Sequence, residues 1–126
     1  MKIIAALLAI AGIFLFGQGK SSWPALPEIP ASARSRSNPL ANNPDAPVAG
    51  QKLFEQHCST CHGKAAEGSR KAPGLENETM RHLSEGELFW ILTNGVVRHG
   101  MPSWSQLPEP QRWQIVSYLG TLNSPR

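Results

Sequence analysis

The stretch Cys58-Ser59-Thr60-Cys61-His62 contains both cysteines of this 126-residue chain. The two cysteines are three positions apart, so they cannot form the spread disulfide framework that stabilises many small domains. A chain of this length folds as a single domain. Domains this small often depend on a bound metal, cofactor or partner for their stability. The stretch is therefore the first place to look for a bound group.

The same stretch has the C-x-x-C-H form of a c-type haem attachment site. Two thiols one helical turn apart can reach two vinyl groups on the same side of a porphyrin and form thioether bonds. The imidazole of His62, next to the second thioether, can then coordinate the iron. The spacing predicts one covalently bound haem c, attached at Cys58 and Cys61, with His62 as an iron ligand.

Two other kinds of site use cysteines at this spacing. A thioredoxin-like redox pair is expected beside a βαβ pattern, which the sequence lacks. A zinc site needs four ligands, and it would have to add a further histidine to the three residues of the motif, from among His57, His82 and His99. Zinc sites of this type usually pair two short ligand clusters, and the second cluster is missing. The pentapeptide alone favours haem and leaves these alternatives open.

The N-terminus carries a continuous apolar run. Residues 3–16 contain no charged or polar side chain, and Lys2 precedes them. The run is shorter than the roughly 20 residues of a bilayer span and fits the apolar region of a secretory signal. We expect residues 1–19 to be a signal peptide or an N-terminal membrane anchor. The protein is then exported to the periplasmic side of the cytoplasmic membrane, where it is soluble or tethered.

Residues 20–45 are rich in proline and serine and show no apolar periodicity. Such a segment buries too little apolar surface to offset its ordering entropy. Prolines at positions 24, 27 and 30 favour an extended stretch. We expect a flexible linker that spaces a folded domain from the membrane surface.

Residues 46–126 are expected to be the folded domain. Helical patterns occur at 46–57, 85–94 and 109–121, with a weaker one near 76–82, and the alternation typical of strands is absent. Ser84 and Glu87 form a capping-box pattern, and Pro108 and Pro110 fit only the first turn of the last helix. The pattern predicts an all-α domain with three main helices and one short helix.

Three ordered motifs within residues 48–122 resemble those of bacterial class I c-type cytochromes. They are Gly50-x3-Phe54-x3-Cys58-x-x-Cys61-His62-Gly63, Asn94-Gly95-Val96-Val97-Arg98-His99-Gly100-Met101-Pro102 and Trp113-x-x-Val116-x-Tyr118-Leu119. The resemblance implies the small class I cytochrome c fold wrapped around one haem. It also implies that the first and last helices cross closely at Gly50, with Tyr118 packed beside the crossing.

The resemblance further implies a distal methionine, and the matching loop contains Met101, 39 residues after His62. The other methionine of the domain, Met80, is expected to fill the core. His99 is the rival ligand, because bis-histidine haems exist. The remaining candidates are His57, expected to face solvent, His82, without an assigned role, and Trp90 and Trp104, expected in the core or at the haem pocket.

These inferences predict a single-haem electron carrier with His/Met-ligated iron, working between a redox donor and acceptor. With both axial positions filled by protein, no catalytic residue or small-molecule substrate is expected. The net charge of +3 is mild and scattered, unlike a nucleic-acid footprint. The alternatives are a haem-carrying subunit of a membrane-associated dehydrogenase or oxidase complex, and a haem-based sensor with a labile sixth position.

Overall fold

The computed structural model describes residues 25–125. Within that range the chain forms six α-helices and a 3-10 turn at Val97–His99. The described residues form no β-strand, and Val96 and Met101 are joined by a single isolated β-bridge. The helices are α1 (Ala31–Arg34), α2 (Ala46–His57), α3 (Ser59–His62), α4 (Glu78–His82), α5 (Glu85–Asn94) and α6 (Glu109–Asn123). The predicted all-α fold is confirmed. The predicted signal peptide or membrane anchor at 1–19 lies outside the described residues.

The three main helices begin and end where local chemistry places them. The Ser84 hydroxyl accepts a hydrogen bond from the Glu87 N–H at 3.2 Å, and the Glu87 carboxylate accepts one from the Ser84 N–H at 2.8 Å. This capping box starts α5. Pro110 lies in the first turn of α6, where a missing N–H costs nothing. Helix α6 ends two residues later than the predicted 121.

Among residues 25–125, no helix is long and apolar enough to cross a membrane.

Helices α2 and α6 cross at Gly50. A Cβ built on Gly50 would lie 1.8 Å from the backbone oxygen of Gln114, so the two backbones touch where α2 has no side chain. Beside the crossing, the Phe54 and Tyr118 rings pack with centroids 5.3 Å apart. The largest fully buried side chains surround this contact: Trp113, Phe54, Ile115 and Val116. The close helix crossing expected at Gly50 is therefore present.

Residues 25–45 differ from the flexible linker expected over 20–45, whose first five residues lie outside the described part of the chain. Residues 26–38, here called the N-terminal arm, lie against α5 and α6. Ile29 and Asn38 are only 6% and 5% exposed, and the Asn38 amide donates to the Ser117 hydroxyl at 2.9 Å. The arm is held largely by polar and backbone contacts, which apolar periodicity does not detect.

Gly50→Ala is expected to destabilise the domain by about 1–3 kcal/mol, because the helices must separate to admit the methyl group. Gly120→Ala, in the same pair of helices, is the matched control, since a Cβ there meets nothing within 4 Å. That control should be neutral or stabilising by up to about 1 kcal/mol. Thermal unfolding followed by circular dichroism measures both. Equal melting temperatures for Gly50→Ala and wild type would contradict the packing argument.

Candidate functional site

A largely apolar cavity that is partly open to solvent lies among the helices. All four predicted site residues line it: Cys58, Cys61, His62 and Met101. Its apolar wall comes from α2, α4, α5 and α6 and includes Phe54, Met80, Leu88, Ile91, Leu92 and Ile115. The fold thus brings together residues that are up to 43 positions apart in the sequence (58 to 101) around one space suited to a large apolar group.

The two cysteines lie where α2 passes into the short helix α3. Cys58 follows α2 directly, and its N–H donates to the Phe54 carbonyl at 2.8 Å. Cys61 lies on α3, and its carbonyl accepts a hydrogen bond from the Ser69 hydroxyl at 2.6 Å, which ties the following loop to the turn. The two cysteines are not joined to each other by a disulfide. The turn therefore presents two thiols on one side of the cavity.

Burial raises the pKa of the Cys58 thiol to about 11, and repulsion from Cys61 contributes. Without a bound group the Cys58 thiol is thus protonated at neutral pH. A neutral sulfur in an apolar wall is compatible with a thioether at this position.

His62 is oriented by a hydrogen bond to the following loop. Its ring nitrogen Nδ1 lies 2.8 Å from the carbonyl oxygen of Pro73. A carbonyl can only accept, so Nδ1 carries a proton, and in the neutral imidazole the lone pair is then on Nε2. A neutral imidazole with a bare Nε2 is the form that binds iron, and a second partner on Nδ1 fixes its orientation. The sequence reasoning missed Pro73, because a backbone carbonyl leaves no side-chain signal.

Met101 lies in a loop that is fastened to α5. Its backbone pairs with Val96 through hydrogen bonds of 3.0 and 3.2 Å. Two residues beyond it, the Ser103 hydroxyl donates to the Thr93 carbonyl at 2.6 Å, and the Trp104 N–H donates to the Leu92 carbonyl at 2.9 Å. The half-buried Met101 is therefore held at the cavity wall by backbone geometry on both sides.

A glycine makes this loop conformation accessible. Gly95 has φ +72°, a conformation that side chains rarely adopt, and a Cβ there would lie 2.6 Å from the Pro102 carbonyl carbon. The loop therefore folds back directly over the end of α5. Any other residue at 95 would push the chain that carries Met101 outward.

Other residues considered from the sequence fall into different places. Met80 is 5% exposed, as expected of a core residue, and it also lines the cavity. The exposed His99 borders the cavity as well. His82 lies on the surface, 2.9 Å from Glu78. Trp90 lies next to the N-terminal arm and not in the cavity lining.

His57 differs from the expectation that it faces solvent. It is half-buried and lines the cavity, and its ring centroid is 5.3 Å from that of Trp104, which lines the cavity too. The reason is helical spacing: His57 is three residues after Phe54 and so shares its buried face of α2.

Within residues 25–125, no group of three or more His, Cys, Asp or Glu side chains is arranged to hold a metal ion, such as the zinc considered above.

The comparison with protein families identifies the domain. The family described as "Cytochrome C oxidase, cbb3-type, subunit III" matches residues 45–119. The chain belongs to this family. Membership confirms the predicted resemblance to c-type cytochromes, and with it haem c as the cofactor and electron transfer, not catalysis, as the role of the domain.

A curated relative and several solved structures agree with this family. The chain is 30% identical over 73 residues to the subunit CcoP of a Cbb3-type cytochrome c oxidase from Rubrivivax gelatinosus. The match covers 57% of this chain and 24% of that relative, so the chain spans about a quarter of the relative's length.

Among solved structures, cytochrome CL from Methylophaga aminisulfidivorans MPT superposes with a TM-score of 0.62 at 24% identity, covering 81% of this chain and 72% of that one. The c-type cytochrome XoxG from Methylobacterium extorquens AM1 gives 0.54 at 25% identity, covering 61% and 50%. Cytochrome cL from Hyphomicrobium denitrificans gives 0.52 at 20% identity, covering 71% and 61%. These similarities show the class I cytochrome fold.

Proposed function

We propose that this domain is a single-haem electron carrier in which Cys58 and Cys61 attach the haem and His62 and Met101 ligate the iron. The observation that carries the proposal is the 2.8 Å hydrogen bond from His62 Nδ1 to the Pro73 carbonyl. It makes Nε2 of the neutral imidazole the nitrogen that can bind iron, in an apolar cavity that both cysteines and Met101 also line. The residues present therefore fit the cofactor of the family.

The haem supplies one-electron chemistry when it is bound, and the chain adapts the site to that chemistry. The apolar side chains of the cavity wall keep water away from the haem. This limits the reorganisation energy of electron transfer when the charge of the iron changes. A thioether ligand from Met101 favours ferrous iron more than a second imidazole would. If His62 and Met101 both ligate the iron, the protein would leave it no free position for a substrate.

The partners on this proposal are a redox donor and a redox acceptor protein. The apolar run at residues 3–16 supports export to the periplasm, with the domain either released or tethered near the membrane. The family match favours one alternative, a haem-carrying subunit of a membrane-associated oxidase complex. Purification of the full chain from detergent-solubilised membranes distinguishes the independent carrier from the oxidase subunit. A subunit should co-purify with a larger redox protein, whereas an independent carrier should elute alone.

The covalent attachment predicts the mass of the mature protein. When the chain is produced with a haem-attachment apparatus and then denatured, it should carry the added mass of one haem. The double variant Cys58→Ala/Cys61→Ala should lose that mass, whereas Ser59→Ala, between the cysteines, should keep it. Intact-protein mass spectrometry makes the measurement. A wild-type protein with the bare polypeptide mass would disprove the attachment.

The axial assignment predicts a spectroscopic change confined to one methionine. Met101→Ala should abolish the near-infrared charge-transfer band between methionine sulfur and ferric iron, and it should lower the midpoint potential. Met80→Leu is the matched control, because Met80 lines the same cavity from the core, and it should keep the band.

Replacement of His99 by Ala tests the rival ligand in the same experiment. We expect the band to persist in this variant. If the band survives Met101→Ala, or if His99→Ala alone changes the axial ligation, the assignment of Met101 fails while haem attachment stands.

A further inference from the structure

The haem cavity contains one wall residue from outside the family-matched region. Leu26 lines the cavity together with His62 and Met101, although it lies 19 residues before position 45, where the family match begins (45 − 26). Leu26 is half-buried and belongs to the N-terminal arm. The cavity is partly open, so a half-buried apolar side chain in its lining bears on the access of water.

The middle of the arm is bound to the start of α5. The Ser84 hydroxyl donates to the Arg34 carbonyl at 3.0 Å. The Arg34 Nε lies 3.1 Å from the Glu87 carboxylate, whose side chain is only 12% exposed. Since Ser84 and Glu87 also form the capping box of α5, the arm is attached to a rigid helix end.

The end of the arm is bound to both α5 and α6. The buried Asn38 amide donates to Ser117, and the Asn38 N–H donates to the Glu85 carboxylate at 3.3 Å. The Arg36 guanidinium lies 4.5 Å from the centre of the Phe89 ring and pairs with Glu109. These contacts hold the segment that follows Leu26 on two helices at once.

Gly86 shows how closely the arm approaches α5. A Cβ on Gly86 would lie 1.9 Å from the Ala33 carbonyl oxygen and 2.6 Å from the Arg36 carbonyl oxygen. Glycine within a helix is less favourable than alanine. Here the missing side chain is what lets the arm backbone lie directly on the helix.

We propose that the N-terminal arm is a structural part of the haem pocket, in which Leu26 shields one border of the haem from water. Gly86 and Asn38 are positioning residues that act through Leu26. The proposal rests on the proposed function, because it requires haem in the cavity. Ferric haem carries one more positive charge than ferrous haem, so excluding water favours the ferrous form and raises the midpoint potential.

The first test replaces Leu26 in the full haem-loaded chain. Leu26→Asn keeps the size but admits water, and at a fixed solution potential we expect its ferrous-to-ferric ratio to fall about two- to tenfold. Leu26→Met, which stays apolar, should retain the wild-type ratio. The control is Val48→Asn, the same kind of polar replacement at a valine that is 57% exposed and outside the cavity lining. Spectroelectrochemical titration measures the ratios.

The second test displaces the arm without touching the cavity. Gly86→Ala should lower the ferrous-to-ferric ratio in the same direction as Leu26→Asn, and it should expose the arm to limited proteolysis. Gly120→Ala, an alanine in an open helical position, is the control. If Gly86 acts through Leu26, the double variant Leu26→Asn/Gly86→Ala shifts the ratio no further than Leu26→Asn does. Should Gly86→Ala fail to fold, Asn38→Ala takes its place with the same expectation.

Each outcome decides one question. A midpoint potential of Leu26→Asn equal to that of Val48→Asn would overturn the shielding role of the arm. Additive shifts in the double variant would overturn the positioning role of Gly86. Loss of covalent haem or of the near-infrared methionine band in the wild-type protein would instead refute the proposed function, so the two failures are distinguishable.

Discussion

The close approach of α2 and α6 is the constraint on which the rest of the domain depends. At Gly50 the backbone of α2 meets the Gln114 carbonyl, and no side chain could be placed between them. The contact buries Phe54 and Trp113 and fixes the position where α2 ends. Because Cys58 follows directly after that end, the crossing also determines where the attachment turn meets the cavity. A shift of the two helices would move the turn with them.

Hydrogen bonds to backbone carbonyls hold two loops against the helices and complete the site. One loop brings the Pro73 carbonyl to His62, and the other is held to α5 through Thr93 and Leu92 and carries Met101. Hydrogen bonds within the protein thus hold both loops in place. Electron transfer benefits from this arrangement, since groups that stay in place add little reorganisation when the iron changes charge.

The N-terminal arm shows that a polar, proline-rich composition does not by itself mean a free linker. Such a segment lacks the apolar surface that drives ordering, yet this one presents carbonyl groups and the Asn38 amide to partners on α5 and α6. The surface of α5 that binds the arm also matches its shape, because Gly86 leaves room for the arm backbone. The expected linker and the observed arm differ because order here comes from complementary polar groups.

The sequence by itself determined the three main helices, the short helix α4, the haem attachment motif and the family, but not the short helices α1 and α3. Capping residues, prolines and the C-x-x-C-H spacing act over a few neighbouring positions, so their effect is visible without a structure. Only the tertiary structure decided the hydrogen bond that orients His62, the cavity-facing position of His57 and the place of Leu26 in the cavity lining. These depend on backbone carbonyls and on contacts between distant segments, and such contacts carry no periodic signal along the chain.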